Sequence, residues 1–476
     1  MNENKSPAAN EKLNMTSTVA YAIGSSGANI SFYMINNYLM LFYTDVVGLA
    51  ATAISLIMLI ARIWDAINDP IMGMIEDRTK TKLGKFRPWL IIGPPFLAIF
   101  NLLTFTVFPL QGTAKALVCG ICYIFAGMAY TVVQVAINGL VNRITNDSQA
   151  KMKVIAIAQF ANQLGSVIIA AALMPVILYF SQSDVANASG YFWGTLFVGV
   201  LTVPMIWIAA WKCREISTDE EPAKEEKAAP KEKKSVIDSL KLVGKNDQLM
   251  TAVLSIFLSC VGIIGRFALL SYYVIYVVGS YTLISPVFSV MSFAQMIGNI
   301  PLPYITGKFG KKKTYIWANL LTIACLVLLF FVSKNPSNAV VIVISALIGF
   351  LTAASSITYS FICDCVEYGD WKYGIRDDGL AFSIMSFGVK LAQAIGGAVG
   401  APLLVAVGYV ANQAQSAGTV TAINGIINLV PAALLALSMV PLIFNYKLDE
   451  KMMDTITKDL VARRSGGSPE PAETAE

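Results

Sequence analysis

The chain has 476 residues, of which 56% are apolar and only 14% are charged, and its formal net charge is +5 with no histidine. An ordinary soluble domain carries about 25% charged residues, so the composition excludes a soluble globular protein. An enzyme is also disfavoured, because the sequence has no His, no nucleophile motif and no phosphate-binding loop.

Long apolar segments recur along almost the whole chain. A helix needs about 20 residues to cross a hydrocarbon core of about 30 Å. Backbone groups in lipid must be satisfied within the segment, so these segments are predicted to be helices. The sequence therefore predicts an all-α polytopic membrane protein in a lipid bilayer, with twelve spans at 17–44, 48–76, 88–109, 113–142, 152–181, 189–212, 249–278, 283–309, 313–333, 338–368, 379–409 and 421–446.

The short loops predict the orientation of the chain. The loops 181–189 and 411–419 contain no Lys or Arg. Lys and Arg accumulate in cytoplasmic loops, so both termini are predicted to be cytoplasmic. The net positive charge reflects this bias and does not indicate a nucleic-acid partner. The basic residues lie after the second and eighth spans: Arg78, Lys80, Lys82, Lys85, Arg87, Lys308, Lys311, Lys312 and Lys313.

One long polar insertion divides the spans into two groups of six. The predicted organisation is an N-terminal half (1–212), a cytoplasmic linker (213–248) with an amphipathic helix around 235–243, a C-terminal half (249–446) and a cytoplasmic tail (447–476). Gly-plus-basic turns recur six spans apart, at 73–89 and 306–313. Two six-helix halves of this kind resemble the major facilitator fold, in which substrate binds near mid-membrane between the halves. The alternative is that any short cytoplasmic loop collects Gly, Lys and Arg.

The second span carries charged residues in its interior. Arg62, Asp65, Asn68 and Asp69 are spaced to share one face of a helix. Each ionised side chain at bilayer depth costs at least about 2.5–3.5 kcal/mol, so this stripe must face protein or water. Its charge of one positive and two negatives suits one monovalent cation. That cation is either Na⁺, with Asn68 and Thr131 adding neutral oxygens, or H⁺ on a carboxylate. The alternative is a static network in which Lys390 or another cation neutralises the spare carboxylate.

Other polar side chains lie within the predicted spans. On the fourth span, residues 130, 134 and 138 share one face. Neutral hydrogen-bonding groups together with tyrosines suggest a ligand with many hydroxyl groups, such as a sugar, although Asn and Gln also serve as contacts between helices. The candidate substrate contacts are Asn29, Tyr33, Tyr130, Gln134, Asn138, Gln159, Arg266 and Lys390.

Four motifs identify a family resemblance. RIWDAINDPIMG (62–73), GKFRPW (84–89), YLMLFYTDVVGL (38–49) and the stretch 364–397 resemble the glycoside–pentoside–hexuronide:cation symporters, over nearly the whole chain. The resemblance implies Na⁺- or H⁺-coupled uptake of a sugar or glycoside across a bacterial inner membrane, by a monomer without a cofactor. It also implies that Asp65 and Asp69 are the cation-site carboxylates, with Thr131 and Lys390 beside them.

The substrate set departs from the melibiose carrier of that family. That carrier has acidic residues at the positions of Asn29 and Gln134 and a tryptophan at that of Asn138. Melibiose is therefore disfavoured, while Lys390 and Arg266 make an anionic sugar, a uronide or a sulfonated sugar, an attractive alternative. The predicted inner gate consists of salt bridges involving Asp77, Arg78 and Arg87, and Arg62 balances charge in the stripe. The competing functions are a cation-coupled lysolipid carrier and a membrane sugar sensor that does not transport.

Overall fold

A computed structural model describes residues 14–145, 148–213, 215, 244–332, 337–374 and 378–464. The amphipathic helix expected around 235–243, with most of the linker, lies outside the described residues. The side chain of Asp77 lies outside them as well.

The first six helices begin and end close to the first six predicted spans. α1 continues directly into a π-helical turn, Phe42–Val46, before the chain reaches the next helix. The six are α1 (Met15–Leu41), α2 (Ala51–Arg78), α3 (Arg87–Thr104), α4 (Gly112–Ile144), α5 (Ser148–Ser181) and α6 (Ala188–Lys212).

The remaining described residues form nine further helices. α7 ends in a π-helical segment, Tyr273–Val278, and a 3₁₀ segment, Ala353–Ser356, joins α11 to α12 without a break. The nine are α7 (Asp247–Tyr272), α8 (Ile284–Gly298), α9 (Leu302–Phe309), α10 (Lys311–Val332), α11 (Asn338–Thr352), α12 (Ile357–Tyr373), α13 (Asp378–Ala406), α14 (Ala417–Phe444) and α15 (Glu450–Arg464).

The span predicted at 283–309 is wrong as a single helix. It is divided into α8 and α9 by a turn at 299–301. Pro301 has no N–H to continue the hydrogen-bond ladder of α8, and its ring clashes with the preceding turn. Pro301 instead caps the start of α9, and Pro303 lies in its first turn, where a missing N–H costs nothing.

The all-helical membrane fold is confirmed, whereas the number of spans is confirmed only in part. Ten segments of the described chain are long and apolar enough to cross a membrane, including one that joins α11 and α12. α1 and α3 are not among the ten. The serines and asparagines of α1 lower its hydropathy.

The chain divides into two compact units. The first comprises the described residues up to 215 together with 267–296 and 397–423, and the second comprises those of 244–266, 297–396 and 424–464. The two six-helix halves remain a prediction from sequence. In the first unit, Ser26 of α1 donates a 3.0 Å hydrogen bond to the carbonyl of Ala161 on α5. A Cβ at Gly165 would overlap the Ser26 hydroxyl, so this glycine lets α5 lie close against α1.

In each unit, a glutamate braces the Gly-plus-basic turn. The Glu215 carboxylate accepts hydrogen bonds from the backbone N–H groups of Lys85, Phe86 and Arg87 at 2.7, 2.9 and 2.9 Å. In the second unit, Glu450 accepts from the N–H of Lys311 at 3.1 Å. Each carboxylate thus caps a helix N-terminus, where negative charge is favourable. This shared arrangement supports the predicted internal repeat.

Candidate functional site

The charged stripe lies on α2, where the helical spacing brings Arg62 and Asp65 together. Nη1 of Arg62 lies 3.3 Å from Oδ2 of Asp65, and the two side chains are 16% and 21% exposed. The i,i+3 spacing places them on the same face. One of the two carboxylates in the stripe is therefore paired with a guanidinium on the same helix.

The second carboxylate contacts a neutral group on another helix. The hydroxyl of Thr131 on α4 donates a 2.8 Å hydrogen bond to Oδ1 of Asp69. Thr131 is buried, and so is Asn68 beside Asp69. Among the described residues, Nδ2 of Asn68 has no hydrogen-bond partner. Because an amide can turn by 180° and exchange its oxygen and nitrogen, Asn68 can present an oxygen at that position.

Gly127 of α4 lies against this stripe, although no local pattern in the sequence marks it. A Cβ at Gly127 would lie 2.8 Å from Oδ1 of Asp65. The absent side chain lets α4 approach the carboxylate of α2 more closely than any larger residue allows. A glycine in an apolar helix is common, so only the structure distinguishes this one.

Arg62 extends from the carboxylate toward α1. Its Nη2 donates to Oδ1 of Asn36 at 3.4 Å. Its guanidinium carbon lies 5.8 Å from the ring centroid of Phe32, within the range of a cation–π contact. Phe32 in turn stacks on Tyr130 of α4, with centroids 4.6 Å apart. Arg62 thus joins the α2 carboxylate to the polar and aromatic face of α1 and α4, and Phe32 was missed because an apolar residue in an apolar helix carries no signal.

The predicted substrate residues of the first unit lie on α1, α4 and α5. Nε2 of Gln134 donates to Oδ1 of Asn138 at 3.1 Å, as their i+4 spacing requires. Asn29 and Tyr33 are half-buried on α1, and Gln159 is exposed on α5. Arg266, which is buried, and Lys390 belong to the second unit. Their roles remain predictions.

The predicted gate residue Arg87 makes different contacts from those expected. Its Nε donates to the carbonyl of Ala210 on α6 at 2.6 Å, and its Nη1 to that of Leu83 at 3.3 Å. Within the part of the chain that the structure describes, Arg87 has no carboxylate partner. The carboxylate of Glu215 is instead engaged by backbone N–H groups of the same turn. Arg87 therefore ties α3 to α6 in this structure, and Arg78 is exposed.

Comparison with known proteins identifies the family. The profile of the MFS/sugar transport proteins matches residues 20–450. The isoprimeverose transporter of Lactiplantibacillus pentosus is 31% identical over 435 residues, covering 90% of this chain and 88% of that protein. A glucuronide carrier protein homolog of Escherichia coli K12 is 28% identical over 468 residues, covering 96% and 97%.

The fold agrees with this assignment. The crystal structure of a D-xylose–proton symporter superimposes with a TM-score of 0.66 over 93% of this chain and 99% of that one, at 14% identity. The resemblance to the glycoside–pentoside–hexuronide symporters inferred from four motifs is confirmed, and the relatives and structural neighbours are transporters. This chain belongs to the MFS/sugar transport protein family, whose members are multi-pass membrane proteins.

Proposed function

We propose that the protein is a secondary active symporter that couples the inward movement of one Na⁺ or H⁺ to the uptake of a sugar or glycoside by alternating access. The observation that carries this proposal is the difference between the two carboxylates of α2. Asp65 pairs with Arg62, and Asp69 accepts a hydrogen bond from the neutral hydroxyl of Thr131.

The charge of the stripe supports a single monovalent cation. Arg62, Asp65 and Asp69 sum to one negative charge, which one Na⁺ or one H⁺ neutralises. Carboxylate, hydroxyl and amide oxygens are hard ligands of the kind that Na⁺ prefers. Thr131 and Asn68 supply neutral oxygens that a proton site does not need, so we favour Na⁺.

Arg62 provides a route from the cation to the sugar. A cation that binds the carboxylates competes with the guanidinium for Asp65 and changes the contact that Arg62 makes with Asn36 on α1. The sugar then meets an α1 face, with Asn29 and Tyr33, that is ordered differently when the cation is bound. Such coupling is reciprocal, so sugar must tighten cation binding by the same factor.

The polar groups of the first unit and the relatives of this chain together support a sugar or glycoside as the substrate. Gln134 and Asn138 offer amide donors and acceptors to hydroxyl groups. Relatives of this chain include an isoprimeverose transporter and a glucuronide carrier homolog, which span neutral and anionic sugars. Arg266 and Lys390 are the residues that we expect to bind an anionic sugar.

The proposal is tested by uptake into liposomes that contain the purified full-length protein. An inward Na⁺ gradient and an inward H⁺ gradient are applied separately, with radiolabelled neutral glycosides, glucuronides and sulfonated sugars. Accumulation above equilibrium under one gradient supports symport and identifies the ion. Uptake of an anionic sugar assigns Arg266 and Lys390 a direct role, whereas no gradient-driven uptake of any sugar contradicts the proposal.

A further inference from the structure

The half-buried carboxylate of Asp45 lies at the other end of α2 from the basic turn. Asp45 is in the π-helical turn that ends α1, six residues before α2 begins at Ala51. α2 has 28 residues, so its two ends are about 42 Å apart. Asp45 therefore lies at the face of the bundle opposite the basic turn 79–86, on the side predicted to be extracytoplasmic.

Three hydroxyl groups converge on the Asp45 carboxylate. Thr44 donates to Oδ1 at 2.6 Å, Tyr409 donates to Oδ1 at 2.5 Å, and Tyr276 donates to Oδ2 at 2.5 Å. The two tyrosine oxygens are 3.0 Å apart. Tyr276 is at the end of α7, and Tyr409 is in the loop after α13. All of these residues belong to the first compact unit, so one carboxylate joins three segments that are distant in sequence.

A second set of contacts surrounds this centre. Asn412 donates from Nδ2 to the backbone carbonyl of Asp45 at 2.5 Å. The Oη of Tyr272 lies 2.6 Å from Oγ1 of Thr44. Asn412 has a positive φ of 57°, a conformation that asparagine tolerates better than most residues. We call Thr44, Asp45, Tyr272, Tyr276, Tyr409 and Asn412 the Asp45 cluster.

The chemistry of the cluster suits a contact that opens and closes. Burial raises the pKa of the Asp45 carboxyl, and the hydroxyl donors act against that rise. Hydrogen bonds to a carboxylate are strong while water is excluded, but water replaces them when the contact opens, so their net contribution is modest. When interdigitated apolar side chains separate, by contrast, water does not replace the packing contacts that they lose. A polar centre can therefore stabilise the contact between the segments while the free-energy cost of opening that contact stays modest.

We propose that Asp45 is the latch of a gate at this end of the bundle, joining the end of α1 to the end of α7 and to the loop after α13, and that the latch must open in each transport cycle. This inference rests on the proposed function, because a gate is needed only if the protein moves its ligand. The structure supplies the closed contact, whose opening can be measured without any ligand.

The test is hydrogen–deuterium exchange of the full-length protein in lipid nanodiscs. Asp45→Asn removes the charge that the hydroxyl groups share. We expect the segments 42–50, 273–283 and 404–416 to exchange at least about tenfold faster, because exchange follows the local opening equilibrium, while the thermal midpoint of the whole protein stays the same. Asp184→Asn is the matched control, since Asp184 is an exposed acid in the 181–189 loop.

A second variant keeps the aromatic packing and removes only the donors. The double variant Tyr276→Phe with Tyr409→Phe should speed up exchange in the same three segments. Adding Asp45→Asn should cause little further change, because all three substitutions weaken or remove the same set of hydrogen bonds. If the three segments exchange in these variants at the same rate as in Asp184→Asn, the proposal that Asp45 is a latch is wrong. Faster exchange throughout the helices with a lower thermal midpoint would also overturn it, since that is the behaviour of a static brace. Neither readout needs a sugar or an ion gradient, so a failure of symport leaves this test intact.

Discussion

The hydroxyl of Thr131 on α4 donates a 2.8 Å hydrogen bond to Oδ1 of Asp69 on α2. This bond places a neutral oxygen of one helix beside a carboxylate of another, one turn along α2 from the Arg62–Asp65 pair. The two carboxylates consequently differ in their protein partners. A cation that binds between them can draw on both helices, and its binding can therefore change how α2 and α4 pack.

Neutralising Asp69 tests whether the stripe is a cation site. Asp69→Asn removes a full negative charge, so the stripe becomes neutral and no longer attracts a monovalent cation. We expect gradient-driven sugar accumulation in liposomes to fall by at least about tenfold, the equivalent of about 1.4 kcal/mol. Asp184→Asn, which makes the same change in an exposed loop, should keep accumulation unchanged. Full accumulation by Asp69→Asn would contradict the assignment.

Thr131 distinguishes a Na⁺ site from a proton site. Thr131→Val keeps the shape of the side chain but removes the hydroxyl that contacts Asp69, whereas Thr131→Ser keeps the hydroxyl. We expect Val to lower the Na⁺ affinity by about tenfold, because one hard oxygen is lost, and Ser to lower it much less. The measurement is a Na⁺ titration of sugar binding to the purified protein. Equal Na⁺ affinities for the Val and Ser variants would show that the hydroxyl is not part of the site.

Gly127 tests the close approach of α4 to Asp65. In Gly127→Ala the new Cβ would lie 2.8 Å from Oδ1 of Asp65, so the carboxylate must move. Overpacking of this kind costs about 1 kcal/mol or more, and we expect a several-fold loss of apparent cation affinity. Gly73→Ala is the control on α2, because a Cβ there meets nothing within 4 Å. If both variants have the same apparent cation affinity as the unmodified protein, the close approach of α4 to Asp65 at Gly127 has no functional role.

Glu215 tests the brace of the basic turn. Glu215→Ala leaves three backbone N–H groups of the α3 N-terminus without their carboxylate. We expect the free energy of unfolding to fall by about 1–3 kcal/mol, which is measured as a lower thermal midpoint. Glu215→Gln keeps a hydrogen-bond acceptor but loses the charge. Its thermal midpoint should lie between that of Glu215→Ala and that of the unmodified protein. A midpoint unchanged in Glu215→Ala would mean that water satisfies these groups equally well.

Helical periodicity was enough to predict part of the site. Arg62 and Asp65 are three residues apart, so their pairing follows from the geometry of one helix. The proximity of Thr131 to Asp69 does not, because 62 residues separate them. The family resemblance implied it. The packing of α1 against α5 through Ser26 likewise depends on tertiary structure.

The failures of prediction have different causes. Pro301 interrupts the span 283–309, and its missing N–H and its ring are a local signal that predicts this break. By contrast, nothing local to Asp45 indicates its contact with Tyr409, which is 364 residues away. The contacts of Arg87 with the carbonyls of Ala210 and Leu83 could not be predicted, because backbone carbonyls are present at every helix end and compete with carboxylates for a guanidinium. Its role in a gate stays a prediction.

The most direct test of the central claim measures the coupling itself on the purified protein. Once the uptake screen has named the sugar, its dissociation constant is determined by calorimetry with and without saturating Na⁺, and the Na⁺ constant with and without saturating sugar. The experiment is repeated across pH in Na⁺-free buffer. We predict that the cation tightens sugar binding and that sugar tightens cation binding by the same factor, with both effects lost in Asp69→Asn. A sugar affinity independent of both Na⁺ and pH would contradict cation coupling at Asp65 and Asp69.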